Sequence, residues 1–469
     1  MIVVTDEQTT DVFDVVVAGA GLAGHAAALS AAEAGATVVL LEKGPEFGGS
    51  SVLAGGGLVF AGTDLQQAAG IDDSAEALRA DLIATGRGHA DEALVDAYVD
   101  HQLETFEWLR ASGVAMSLAA QVTHGGVARV HFTGRGAATR HLHQRVMEHD
   151  LVTYRANVQA GRLHRGRDGR VDTVAIGGPD GPQVTATRGV VLATGGFTRS
   201  AELVHAFAPQ WANAVTMGGR FNTGDGLRMA CDLGAGLADI PYISASFGAS
   251  VQHYPDLARD PDEQPILLYP NARGAIVVNL EGNRFGDEDL NYKQFSRLCA
   301  EQPGGVAVQI FDDDIFGQSD ARALPFDFAG ALASSLLRRA DTLADLATEL
   351  RLDPNALHAT VTRYNEGVRA GADFDFGRKM HFRDNPGGGL ITKAPFYGFP
   401  TRPGLTSTYA GVTVDARMRV RDMYGGAIPG LYAAGETVGG FHGAGYYSGS
   451  AMGKAAVFGR IAGRAVAGG

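Results

Sequence analysis

Val12-Phe13-Asp14-Val15-Val16-Val17-Ala18, then Gly19-Ala20-Gly21-Leu22-Ala23-Gly24, then an alanine-rich run to about Ala34 open the readable part of the chain. The apolar run has the composition of a strand buried on both faces, as parallel strands are. The glycines turn the chain, a helix follows, and Gly35 suits its C-terminal stop. Thr37 to Leu41 is a second strand, ending at Glu42, an acid 21 residues after Gly21. Strand, Gly-x-Gly-x-x-Gly turn, helix, strand and acid in this order form a dinucleotide-binding unit. Its glycines let the backbone approach a pyrophosphate, the helix N-terminus attracts that charge, and Glu42 can reach a ribose hydroxyl.

Outward from this unit, the composition sets limits. The chain has 469 residues, enough for two or three domains, and a formal net charge of −13. An acidic chain lacks the basic face that nucleic-acid binding requires, so no nucleic-acid partner is expected. Glycine occurs 65 times without a collagen period, which suits turns and close backbone contacts around a large phosphate-bearing cofactor. Two cysteines, Cys231 and Cys299, exclude a disulfide framework, a Cys-x-x-Cys-His haem site and cysteine-held iron–sulfur clusters within the chain. Met1 to Phe13 has no basic region followed by an apolar run, and no stretch approaches the ~18–20 apolar residues of a membrane span. The expected location is the cytoplasm.

Helical spacing runs from about Ser74 to Ser112. Residues 152–197 read as short strands with Gly/Asp turns, a small meander closing on the buried strand Gly189 to Ala193 and the glycines Gly195-Gly196. From about Pro241 to Asp384, prolines and charges rise, and Asp341 to Ala370 is amphipathic with a turn at Asp353-Pro354. This segment reads as an inserted cap domain, with Asn385-Pro386-Gly387-Gly388-Gly389 as return linker. The expected organisation is residues 1–240 and 385–469 as a cofactor domain, interrupted by a cap at 241–384. The fold class is α/β: a Rossmann-like parallel sheet with an inserted β-meander, plus an α+β cap.

Further glycine loops lie far apart in sequence: Gly48-Gly49-Ser50-Ser51 with Gly55-Gly56-Gly57, Ala193-Thr194-Gly195-Gly196, Thr223-Gly224-Asp225-Gly226, and Gly430 to Gly435-Glu436 before a closing helix at about Ser450. Dispersed pieces suit an extended cofactor along the carboxyl edge of a sheet. In this order they resemble the fumarate reductase / 3-ketosteroid dehydrogenase flavoprotein superfamily over nearly the whole chain. The resemblance implies FAD, a cap, and substrate between cap and FAD domain. The positions it marks for FAD are Gly19, Gly21, Ala23, Gly24, Glu42 and Lys43 in the first unit. Further on it marks Gly49, Ser50, Ser51, Gly56 and Gly57, then Thr194, Gly195, Gly196 and Asp225, and finally Gly435, Glu436 and Ser450. Members with covalently attached flavin use a histidine just before the glycine–serine loop. Lys43-Gly44-Pro45-Glu46-Phe47 has none, so non-covalent FAD is expected.

The fumarate reductases of this superfamily grip two carboxylates with cations and deliver a proton from an arginine. Laid on that pattern, the proton-donating arginine falls at Tyr292, the carboxylate-binding arginine at Tyr446, and a substrate histidine at or beside Ser407. A carboxylate pair buried without cations is very costly, so fumarate chemistry is not expected. Tyrosines at these places are similar to 3-ketosteroid dehydrogenases, and Tyr446-Tyr447-Ser448 looks closer to the delta-4(5-alpha) type. The expected reaction is desaturation of a cyclic ketone at its α,β-carbons; the reverse, reduction of an activated C=C, is the alternative, followed by a flavin-binding protein without turnover.

Such chemistry needs a donor on the carbonyl, a base for the α-proton and flavin to accept the β-hydride. Tyr446, with a backbone N–H near Gly449 or Ser450, is assigned the carbonyl; Tyr292 is assigned the proton. A base tyrosine starts near ~10 and needs help, for which Ser448, His442 and His253 are candidates. Tyr447 and Tyr409 read as pocket wall, His131 as structural or close to FAD, and Arg273 or Arg402 as possible holders of a substrate carboxylate. Asp287, Glu288 and Asp289 read as a solvated turn, one of them pairing with Arg284. The partners expected are a small cyclic ketone or enone and a diffusible electron acceptor: oxygen, a quinone or another redox protein.

Overall fold

A computed structural model describes residues 11–119, 126–178, 180–258, 264–379 and 389–468. The linker expected at Asn385 to Gly389 lies almost wholly outside them. The chain divides into two compact units. The first comprises residues up to Leu203, Gly218–Ile243 and Ser407 onward; the second comprises Val204–Met217 and Ser244–Thr406.

The first unit is built on an eight-stranded sheet. Asp11–Ala18 lies between Val38–Leu41 and Gln183–Leu192, parallel to both. Val152–Arg155 extends the sheet beyond Val38–Leu41, and Ala427–Ala433 joins on the far side of Gln183–Leu192, again in parallel. The expected meander is present as the antiparallel strands Ala160–Arg165 and Val171–Ile176, attached to Gln183–Leu192. The helical stretch anticipated from 74 to 112 is two helices, Ala75–Thr85 and Glu92–Ala111, because Gly86-Arg87-Gly88 breaks it and Asp91 caps the second.

The helix Leu22–Glu33 is buried along almost its whole length, and the closing helix Ser450–Ala467 packs on it. A Cβ on Gly459 would stand 2.5 Å from Ala23 O, and one on Gly463 2.2 Å from Ala27 O. Backbone-close packing of these two helices therefore needs the small residues that the sequence supplies.

The second unit has its own sheet. Phe396–Thr408 pairs with Ala307–Phe311, Arg338–Ala340 and Val215–Thr216, and Ile276–Asn279 extends it. Ile276, Val278, Val308 and Ile310 form a core with Leu346, Leu357, Val361 and Tyr364 from the helices Leu343–Glu349 and Pro354–Ala370. These helices meet at the expected Asp353-Pro354 turn, where Asp353 caps the second. The unit differs from the anticipated 241–384: it continues to Thr406, because Phe396–Thr408 hydrogen-bonds to cap strands, and it gains residues 204–217. The acidic turn also differs. Glu288 and Arg284 are both buried and paired at 2.6 Å, Asp373 pairs with Arg284 at 2.8 Å, and Asp289 pairs with Arg378 at 3.1 Å. Their charges are matched inside the unit, as buried ions must be. No helix among the described residues is long and apolar enough to cross a membrane.

Candidate functional site

In the first unit, the glycine turn separates into two kinds of glycine. Gly19 has φ +103°, and a Cβ there would stand 2.4 Å from Ala193 O; at Gly24 a Cβ would stand 1.8 Å from Gly19 O. The fold itself demands glycine at both. At Gly21 a Cβ would meet Ser51 Oγ at 3.5 Å and Gly48 O at 3.9 Å, both ordinary contacts, and at Gly49 and Gly55 it would meet nothing within 4 Å. The protein's own packing leaves these positions open, as a dinucleotide cradle requires. Gly56 and Gly57 belong to the first kind, lying against Gly134 O and Val130.

Around this cradle, Glu42 accepts from Ala20 N at 3.0 Å and Gly44 N at 2.8 Å, which fixes its carboxylate at the strand end. Ser51 Oγ accepts from Leu22 N, tying the glycine–serine loop to the helix start. Lys43 pairs with Asp225 at 2.9 Å, so these two expected cofactor residues meet each other. Thr194 Oγ1 accepts from Gly226 N at 3.1 Å. Glu436 is buried and accepts from Thr408 N at 2.8 Å and Asn222 Nδ2 at 3.2 Å. Burial pushes its carboxyl upward against the pull of Thr408, Lys454 and Asn222. Gly196 is required here, since a Cβ would stand 2.3 Å from Glu436 Oε1. Asn222 also holds Thr198 N at 2.8 Å; it and Thr408 carry no motif and were not legible in the sequence.

The loop before the closing helix holds Tyr446, half-buried, beside two neutral rings. Tyr409 stacks on it with centroids 6.3 Å apart, and His442 lies 5.8 Å away. His442 Nε2 is 3.0 Å from Ser450 Oγ, while its Nδ1 is buried without a hydrogen-bond partner among the described residues. Burial, reinforced by Lys454, keeps this imidazole neutral far below its usual range. A buried polar atom left without a partner fits a bound heterocycle that would complete it. Ser448 and Gly449 follow, both half-buried, and Gly449 caps the helix at φ +86°. Asp239 fixes the loop from below, accepting from Gly440 N at 2.9 Å and Gly443 N at 3.1 Å. Tyr447, fully buried, accepts from Arg129 Nη1 at 3.1 Å, and Arg129 is paired with buried Asp73 at 2.7 Å and with Asp81. His131 bonds Thr63 and the Arg129 carbonyl, a structural position.

In the second unit, Tyr292 begins the helix Tyr292–Ala300, capped by Asn291, and is 37% exposed. Tyr269 stacks beside it at 6.1 Å. Lys293 Nζ lies 5.1 Å from the Tyr292 ring centroid and hydrogen-bonds to Ser244 Oγ, to Ser246 Oγ at 3.2 Å and to Thr406 Oγ1 at 3.3 Å. Burial drives its ammonium down to about 7. Of the helpers expected for a base tyrosine, His442 stands with Tyr446 and His253 is exposed on a turn. A cation does stand beside Tyr292: Lys293, its chain neighbour. Arg273 lies over the Phe326 ring, and Arg402 is buried against Leu257 O.

Residues 14–452 match the model of the FAD binding domain family. The chain is 32% identical over 462 residues to a fumarate reductase (cytochrome) of Shewanella frigidimarina, covering 97% of this chain and 77% of that one. It is 29% identical to the 4-oxocyclohexanecarboxylate 2-dehydrogenase of Sinomonas cyclohexanicum, covering 97% and 93%. Among solved structures, the 3-ketosteroid-delta4-(5alpha)-dehydrogenase of Rhodococcus jostii RHA1 is similar with a TM-score of 0.72 and 26% identity, covering 97% of each chain.

Proposed function

Because the chain belongs to the FAD binding domain family and is an FAD-dependent oxidoreductase acting on CH–CH groups, we propose that it desaturates a cyclic ketone at the carbons α and β to the carbonyl. The observation that carries this reading is the neutral ring cluster of Tyr446, Tyr409 and His442. Phenols and an uncharged imidazole suit a ketone oxygen and are poor partners for a pair of carboxylates. The similarity to a 4-oxocyclohexanecarboxylate dehydrogenase and to a ketosteroid dehydrogenase supports the same substrate class.

The open turn at Gly21, Glu42, the Gly49–Ser51 loop and the start of the closing helix would hold FAD non-covalently. When bound, it supplies the hydride acceptor. Tyr446 donates to the ketone oxygen, with the backbone at Gly449 and Ser450 as second donor, and so acidifies the α-carbon. Tyr292 receives the α-proton. The reduced cofactor would need a diffusible acceptor such as oxygen, a quinone or another redox protein.

A second reading, reduction of an activated C=C with the same residues in reverse, is favoured by the 32% identity to a fumarate reductase. Anaerobic mixing of the oxidised holoprotein with 4-oxocyclohexanecarboxylate, substituted cyclohexanones and 3-ketosteroids separates the two. Bleaching of the flavin by a ketone supports desaturation. Rapid reoxidation of the reduced protein by fumarate, with no ketone active, refutes it.

A further inference from the structure

Of the three rings in the Tyr446 cluster, His442 is the one whose hydrogen position its neighbours decide. The imidazole is buried, with Phe441 edge-on at 4.9 Å and Tyr409 at 4.9 Å. Asp239 fixes the chain on either side of it through Gly440 N and Gly443 N. The two ring nitrogens differ. Nε2 lies 3.0 Å from the hydroxyl of Ser450, which is also fully buried, and Nδ1 has no partner among the described residues.

A neutral imidazole carries one N–H, so two arrangements are open. With the hydrogen on Nε2, the ring donates to Ser450 Oγ. The Ser450 hydroxyl hydrogen then has no acceptor among the described residues, and Nδ1 is a second unmatched group. With the hydrogen on Nδ1, Ser450 donates to Nε2, and only the Nδ1–H donor is left over. One unmatched buried group costs less than two, so the hydrogen belongs on Nδ1.

We propose that His442 is a further catalytic residue, a neutral imidazole whose Nδ1–H donates a hydrogen bond to a ligand oxygen that gains negative charge in the reaction. Two ligands of the site offer such an oxygen. One is the ketone, whose oxygen becomes an enolate beside Tyr446, and the Tyr446 ring centroid is 5.8 Å from that of His442. The other is a flavin carbonyl on reduction, since Ser450, the partner of Nε2, begins the closing helix. No proton changes hands: the hydrogen stays on Nδ1 and its bond strengthens as charge develops. The proton taken by Tyr292 and the hydride taken by the flavin are unaltered. A neutral ring suits this place. Burial, reinforced by Lys454, disfavours the imidazolium, and a neutral N–H polarises an oxygen without protonating it.

The proposal rests on the ketone reading for the first of its two oxygens only, and its tests separate them. Histidine 15N labelling of the holoprotein reads the tautomer without turnover. The His442 signals, assigned by their loss in His442→Asn, should show a hydrogen on Nδ1, a bare Nε2, and no second hydrogen taken up through the ordinary imidazole range near ~6.5. Hydrogen on Nε2, or uptake in that range, overturns the proposal. His442→Phe keeps a ring and removes the donor. If a flavin carbonyl is the acceptor, its reduction equilibrium should weaken about 10–10²-fold, a fall of about 30–60 mV for two electrons. If the ketone oxygen is the acceptor, affinity for p-cresol, whose phenolate oxygen resembles that of an enolate, should fall about 10–10²-fold. His442→Asn, which returns an N–H, should recover part of whichever loss appears. A His442→Phe protein that holds FAD and moves neither quantity overturns the proposal. If His442→Phe does not fold, the tautomer in the unaltered protein decides. If no ketone bleaches the flavin, the ketone reading falls, while the tautomer and the potential still decide this one.

Discussion

Tyr447 Oη accepts a 3.1 Å hydrogen bond from Arg129 Nη1, joining two fully buried side chains 318 positions apart in the chain. Burial pushes the phenol pKa upward while Arg129 pulls it down, so the group stays a neutral acceptor fixed by charge. The residue before Tyr447 is Tyr446, so this bond sets the loop that presents the proposed carbonyl donor. Tyr447→Phe should cost about 1–3 kcal/mol, and Arg129→Met about 3–5 kcal/mol because Asp73 is left buried without its partner. Denaturant unfolding of the holoprotein measures both.

Tyr446→Phe should keep FAD and slow flavin reduction about 10²–10³-fold, as for other lost oxyanion donors. Tyr292→Phe should also keep FAD and cost about 10²–10⁴-fold. The two separate on an enolate-mimicking phenol. Tight phenol binding is expected to survive in Tyr292→Phe and to vanish in Tyr446→Phe; the opposite pattern exchanges the roles.

Acid precipitation of the yellow holoprotein should release the colour into the supernatant. Lys43 to Phe47 carries no histidine, and the nearby His25 is buried between Gly21 O and His143 Nδ1. Colour retained in the pellet would mean a covalent link.

Stability should fall in acid through the second unit. Burial opposes the Asp373 carboxylate, but Arg284 outweighs it and holds the group at about 2, against an ordinary 3.8. A depressed carboxyl stabilises the fold at pH above its unfolded value and loses that contribution as pH falls toward the folded one. About 2 kcal/mol should therefore disappear between about pH 4 and pH 2. The stability gap between the wild type and Asp373→Asn should narrow over that window in urea titrations.

The strand–turn–helix at Val12 to Ala34 was readable because its signals are local: a buried apolar run, glycines at fixed offsets and helical spacing. The cap was readable in outline from its charges and prolines. Its return edge was not, because whether Phe396–Thr408 belongs to one sheet or another depends on partners distant in sequence. Glu288 read as a surface acid since nothing near it in sequence announces Asp373 or Arg378 as neighbours. Tyr292 was found and Lys293 missed, although a signal existed. Phe295, Ser296 and Cys299 are the buried face of their helix, and Lys293 lies three residues before Ser296 on that face. A lysine there reads as a solvated helix start unless this spacing is weighed.

The seating of Gly459 and Gly463 on Ala23 and Ala27 has a consequence for biosynthesis. The helix Leu22–Glu33 is made some 430 residues before the helix that covers it. Until then Leu22–Glu33, a mostly apolar helix, has one side unclothed. The nascent chain must keep it from aggregating until Ser450–Ala467 has emerged, so the first unit is expected to depend on holding chaperones over that interval. A chain arrested before Ser450 should be captured by them and should carry no flavin.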